Sequence, residues 1–124
     1  MGYLIVFFGA GVGGVFRQAL GSTVTKALGP DFPYGTLLIN VTGSAIMGLV
    51  IGVFEARNIQ SNDLRLFLTT GILGGYTTFS TFSLDSVMLW ERGQYVESLA
   101  YVSTSLILSL SVLALTMMLV RRWA

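Results

Sequence analysis

The chain has 124 residues, of which 53% are hydrophobic and only 10% charged, with 15 glycines, no cysteine and no histidine. Soluble domains carry about a quarter charged residues, so the composition excludes one and points to a single all-α, polytopic membrane domain, a span taking about 20 residues. The net charge of +1 gives no basis for a nucleic-acid partner. Without thiols or imidazoles there are no disulfides, no thiolate chemistry and none of the commonest general bases.

Charges punctuate four apolar runs, at about residues 3–28, 35–54, 66–90 and 96–120. The first opens Met1-Gly2-Tyr3-Leu4-Ile5, with no basic n-region, so a cleaved leader is not expected. It contains Arg17 and closes near Lys26. Gly29-Pro30-Asp31-Phe32-Pro33 then reads as a loop, because two prolines and a glycine cannot continue a helix. The second run carries no charge, and Asn40 stands within it. A polar connection holding Glu55, Arg57, Asn58, Asn62, Asp63 and Arg65 leads to the third run, which ends at Trp90. The fourth stops at Arg121-Arg122-Trp123; tryptophans there suit the membrane interface.

The third run is the unusual one. It contains Gly71-Ile72-Leu73-Gly74-Gly75 followed by the hydroxyl tract Thr77-Thr78-Phe79-Ser80-Thr81-Phe82-Ser83. Glycines loosen a helix, and irregular backbone at membrane depth survives only in protein or beside a watery cavity. A break in this span is expected at Gly74-Gly75, next to a pathway for something small and polar. Gly9 and Gly13, Gly48 and Gly52, and Gly71 and Gly75 also share the spacing that lets helix backbones approach closely.

Basic residues hardly orient the chain. Arg57, Arg65, Arg121 and Arg122 fall on one side of a four-span topology, against Arg17, Lys26 and Arg92 on the other. Insertion in both directions is therefore expected, with oppositely inserted copies pairing about an axis in the membrane plane.

An enzyme is not expected. Asp31, Glu55, Asp63, Asp85, Glu91 and Glu97 form no pair at helical spacing, and serine without histidine has no obvious activator. A small proton-coupled multidrug or anion exporter is the rival reading. Such exporters carry an acid in mid-membrane, whereas Phe7-Phe8-Gly9-Ala10-Gly11-Val12-Gly13-Gly14 offers none. What remains are neutral hydrogen-bond formers: Asn40, the hydroxyl tract, and Tyr101, Ser105 and Ser109 at four-residue intervals on one helix face. Phe79 and Phe82 lie three apart, and ring edges are electropositive. A route without a fixed basic residue binds a small anion weakly enough to release it.

Three motifs in order carry a resemblance. They are Gly13-Gly14-Val15-Phe16-Arg17, Gly35-Thr36-Leu37-Leu38-Ile39-Asn40-Val41-Thr42-Gly43, and Gly71-Ile72-Leu73-Gly74-Gly75-Tyr76-Thr77-Thr78-Phe79-Ser80-Thr81-Phe82-Ser83. Over essentially its whole length the chain resembles the Fluc family of small microbial fluoride channels. That resemblance implies a multi-pass protein of the bacterial inner membrane that lets cytoplasmic fluoride leak out passively. It implies an antiparallel homodimer with two pores, lined by Phe79, Phe82, Asn40, Ser80 and Thr81, with Tyr101, Ser105 and Ser109 as a polar track. It further implies Arg17 and Asp85 near the pore entrances. A structural Na⁺ at the dimer centre would be held by the backbone carbonyls of Gly74 and Thr77 from both subunits.

Overall fold

The computed structural model describes residues 1–123, and every regular element in them is helical. Helix α1 (Gly2–Leu28) ends where Gly29 takes φ 88° and returns its N–H to Thr25 O at 2.8 Å, the left-handed stop that glycine makes without strain. Helix α2 (Tyr34–Ala56) starts directly after Pro33. Both, with the last helix α5 (Tyr95–Trp123), are long and apolar enough to cross a membrane.

The third apolar run is divided. Helix α3 (62–76) begins at Asn62–Leu66, capped by the Ser61 hydroxyl accepting from Leu64 N at 3.2 Å. It unwinds into a wider π-helical stretch, Phe67–Leu73, and closes with the α-helical turn Gly74–Tyr76. Thr77 and Thr78 are extended, with ψ of 159° and 120°, and helix α4 (Phe79–Glu91) restarts beyond them. The break therefore lies at Thr77-Thr78 and not at Gly74-Gly75, which remain helical.

The glycines explain the difference, because they serve packing. A Cβ on Gly75 would stand 2.7 Å from Ala10 Cα, and one on Gly9 would stand 2.9 Å from Gly71 Cα. The backbones of α1 and α3 thus touch through Gly9, Gly13, Gly71 and Gly75, as small residues permit in lipid. Gly48 and Gly52 do the same for α2 against Leu113, Thr116 and Val120 of α5.

Few apolar side chains are buried. A small cluster of Phe82, Leu89 and Tyr101 joins α4 to α5, with the loop residue Phe32 edge-on to Tyr101 at 5.7 Å. The Ser98 hydroxyl adds a bond to Ser86 O at 2.8 Å across the same contact. Elsewhere large apolar side chains such as Phe7, Phe8, Val15, Leu110 and Leu115 face outward. So much contiguous apolar surface suits lipid or a partner, not water.

Candidate functional site

The break is gripped from α2, 38 residues earlier in sequence. Asn40 Nδ2 donates to Thr78 O at 3.0 Å, and Thr78 N–H donates to Asn40 Oδ1 at 2.9 Å. On the other side of the break, Thr42 spends its hydroxyl hydrogen on Leu38 O at 2.7 Å, so Tyr76 OH donates to Thr42 Oγ1 at 2.9 Å. Between these two bonds Gly43 lies against the Thr77 methyl, where a Cβ would overlap it. One edge of α2 thus holds residues 76, 77 and 78 in turn.

The restart of α4 follows from local chemistry. Thr78 is the N-cap, with extended φ of −151° and its Oγ1 accepting from Thr81 N at 3.2 Å. Ser80 Oγ stands 3.3 Å from the same oxygen. At the end of α3, Thr77 N–H and Oγ1–H both donate to Leu73 O, at 3.0 and 2.9 Å. No backbone bond returns from residues 78–81 to the carbonyls of 74–77.

Two cavities meet at Thr78. One, of about 300 Å³, lies between α2, the break, α4 and α5 and is lined by Asn40, Ser44, Thr77, Phe79, Phe82, Ser105 and Ser109, with Thr78 at its edge. It contains no ionisable side chain. The Ser105 hydroxyl is buried there without a hydrogen-bond partner. An unpaired buried hydroxyl costs about 1–3 kcal/mol, and Ser105 keeps a hydrogen to donate.

The second cavity, of about 740 Å³, runs from Thr78 and Thr81 toward the 29–33 loop and is lined by Arg17, Lys26 and Asp85. Asp85 Oδ2 accepts from Tyr101 OH at 3.1 Å, and that Tyr101 ring lies 5.3 Å from Phe82. Arg17 and Asp85, expected near an entrance, therefore share one polar vestibule.

Most of the site residues marked in the sequence come together here, with some redistribution. Phe79 and Phe82 are in ring contact at 5.5 Å. Ser105 and Ser109 line the smaller cavity, whereas Tyr101 is fully buried behind Phe82. Thr81 faces the vestibule, and Ser80 lies exposed at the first turn of α4. Asn40 lines the smaller cavity but commits its carboxamide oxygen and one N–H to the Thr78 backbone, leaving one N–H for a ligand. From the sequence Thr78 is only one member of the hydroxyl tract, with no role of its own, yet it borders both cavities and caps α4. The available signal was a threonine three residues before Thr81 at a restart of helical pattern, the position of an N-cap.

A helical membrane protein with an uncharged cavity bearing several hydroxyls beside a second, polar one, Thr78 lining both, has the build of a pathway for a small polar solute. The chain belongs to the family described as CrcB-like protein, Camphor Resistance, whose model matches residues 4–117. Among similar proteins is the fluoride-specific ion channel FluC of Rhodopseudomonas palustris (strain BisB5), 47% identical over 121 residues, covering 98% of each chain. The fluoride-specific ion channel FluC of Granulibacter bethesdensis is 48% identical over 121 residues, covering 98% of this chain and 95% of the relative. That of a Methylobacterium species (strain 4-46) is 44% identical over 120 residues, covering 97% and 96%.

Proposed function

We propose that this protein is a fluoride-selective channel, not an enzyme, that passes the anion through the hydroxyl-lined cavity at Phe79, Phe82, Ser105 and Ser109. The observation that carries the reading is the unpartnered Ser105 hydroxyl in a cavity without ionisable groups. The family membership and the fluoride channels among the relatives support it. Fluoride is small and tightly hydrated, so it needs close substitute donors. The Ser105 and Ser109 hydroxyls, the free Asn40 N–H and the ring edges supply them. Chloride, the larger ion, would meet donors spaced for a smaller one.

Conduction is passive. Neutral HF enters from acidic surroundings, ionises in the more alkaline cytoplasm and is trapped there as fluoride. A potential negative inside then drives the anion out at about 2.3 kcal/mol per 100 mV. A proton-coupled exporter would need a titrating acid in the cavity, and its lining has none.

In this reading α3 and α4 together make the broken third of four spans, and the working unit is an antiparallel homodimer with two pores in the bacterial inner membrane. Phe79 is 75% exposed although it borders the cavity, so that wall awaits a second copy. A structural Na⁺ belongs at the dimer centre. The carbonyls of Gly74 and Thr77 fit such an ion, since neither receives a backbone N–H from across the break. Neutral oxygens suit a hard monovalent cation, and among the described residues no acidic cluster stands by to hold a divalent one.

The test is efflux from liposomes read with a fluoride electrode. Fluoride should leave quickly only when valinomycin and K⁺ discharge the voltage, and chloride should not follow. Electroneutral efflux with counter-moving protons would instead establish an exporter.

A further inference from the structure

The two carbonyls offered to a cation are free for a specific reason. In an unbroken α-helix Gly74 O would accept the N–H of Thr78, and Thr77 O that of Thr81, four residues on. Here each N–H has another acceptor: Thr78 N–H goes to Asn40 Oδ1 at 2.9 Å, and Thr81 N–H goes to Thr78 Oγ1 at 3.2 Å.

We infer that Asn40 and Thr78 are positioning residues of the cation site: by capturing the amide hydrogens of residues 78 and 81, their side-chain oxygens keep the Gly74 and Thr77 carbonyls available to the ion. The inference rests on the Na⁺ reading above and adds the side chains that create the site. It also gives Asn40 a second task besides lining the fluoride cavity. The two tasks use different atoms. Oδ1 takes the backbone hydrogen, whereas the N–H left over on Nδ2 faces any anion.

The geometry favours capture by the side chains. Asn40 returns a bond of its own to Thr78 O at 3.0 Å, so one carboxamide satisfies both polar groups of that residue. Thr42 holds Tyr76 and Gly43 abuts Thr77, which keeps Thr78 from swinging back under Gly74. If Asn40 loses its oxygen, Thr78 N–H needs another acceptor, and the one a continuous α-helix would give it is the Gly74 carbonyl, which the ion then loses as a ligand.

The experiment measures thermal stability of the full-length reconstituted protein while Na⁺ is exchanged for N-methyl-D-glucamine at constant ionic strength. Asn40→Ala and Thr78→Val should each raise the Na⁺ concentration needed for half-maximal stabilisation about tenfold or more, and Asn40→Asp, which keeps the accepting oxygen but loses the N–H given to Thr78 O, should raise it clearly less than Asn40→Ala does. Fluoride flux alone would not separate the tasks, because Asn40→Asp also puts a negative charge in the pore. A wild-type Na⁺ response in Asn40→Ala overturns the inference while leaving the Na⁺ site standing. So does a loss in Asn40→Asp equal to that in Asn40→Ala. If Asn40→Ala does not fold, a wild-type response in Thr78→Val overturns it alone. No Na⁺ response in the wild type itself removes the cation site and the inference together.

Discussion

Phe79 and Phe82 touch, with ring centroids 5.5 Å apart, yet Phe79 is 75% exposed and Phe82 only 8%. One ring belongs to the protomer's core and the other projects from it. Replacing either with isoleucine keeps bulk and removes the electropositive edge. Phe79→Ile should lower fluoride flux about tenfold or more with normal folded yield, the ring edge contributing on the order of 1 kcal/mol or more to the moving anion. Phe82→Ile should lower flux and also the thermal midpoint, because Phe82 packs on Tyr101. Wild-type flux in both would reduce the rings to packing.

The vestibule holds charges of both signs. Arg17 and Lys26 raise the local concentration of an anion and Asp85 lowers it. Arg17→Gln should therefore slow fluoride flux and Asp85→Asn should speed it, each by several-fold at low salt and less at about 0.15 M, where screening shortens the reach of charge. Asparagine can still accept from Tyr101 OH. The same sign of change in both variants would rule out a role through charge.

Close packing of α1 on α3 should be intolerant at one glycine and indifferent at another. A Cβ on Gly13 would overlap Ile72 O and stand 2.8 Å from Tyr76 N, whereas one on Gly11 meets nothing within 4 Å. Gly13→Ala should cost about 1–3 kcal/mol or abolish folded yield, and Gly11→Ala should leave the protomer's fold unchanged. Equal thermal midpoints for the two would contradict the helix contact.

Arg121 reaches Glu55 Oε2 through Nε at 2.8 Å and Nη2 at 2.6 Å, joining the last turns of α2 and α5. Both side chains are nearly half exposed, so solvent screens the pair. Glu55→Gln should cost less than about 1 kcal/mol, read as a small shift of the thermal midpoint that shrinks further in high salt.

Insertion in both directions can be read by labelling. Single cysteines at Gln60 or Gln94, in a chain that has none of its own, should each react partially with an impermeant reagent from outside the cell. Complete labelling at one site and none at the other would mean a single orientation and no antiparallel dimer.

The helical class of the fold was legible because it depends on composition alone. Three stretches without charge clusters became three helices long and apolar enough to span a membrane. The polar tract was legible too, since hydroxyls inside an apolar run stand out at any register. Less visible was the division of labour among the hydroxyls. Tyr101, Ser105 and Ser109 share one helix face, yet Tyr101 turns to Asp85 of α4 while Ser105 keeps no partner. Helical spacing gives the face and says nothing of what the neighbouring helix brings to it.

By itself, then, the sequence determined a membrane-bound chain, a weakened third span and a set of neutral hydrogen-bond donors within the apolar runs. Those properties follow from which side chains lipid accepts. Only the tertiary structure decided where that span breaks. Glycines at 71 and 75 suggest a local weakness, but they are used to bring α3 against α1 and their helix holds. The break comes at Thr77-Thr78 because Asn40, distant in sequence, offers Thr78 both a donor and an acceptor. A backbone amide leaves a helix when another partner satisfies it as well, and the partner here becomes a neighbour only when α2 packs beside the break.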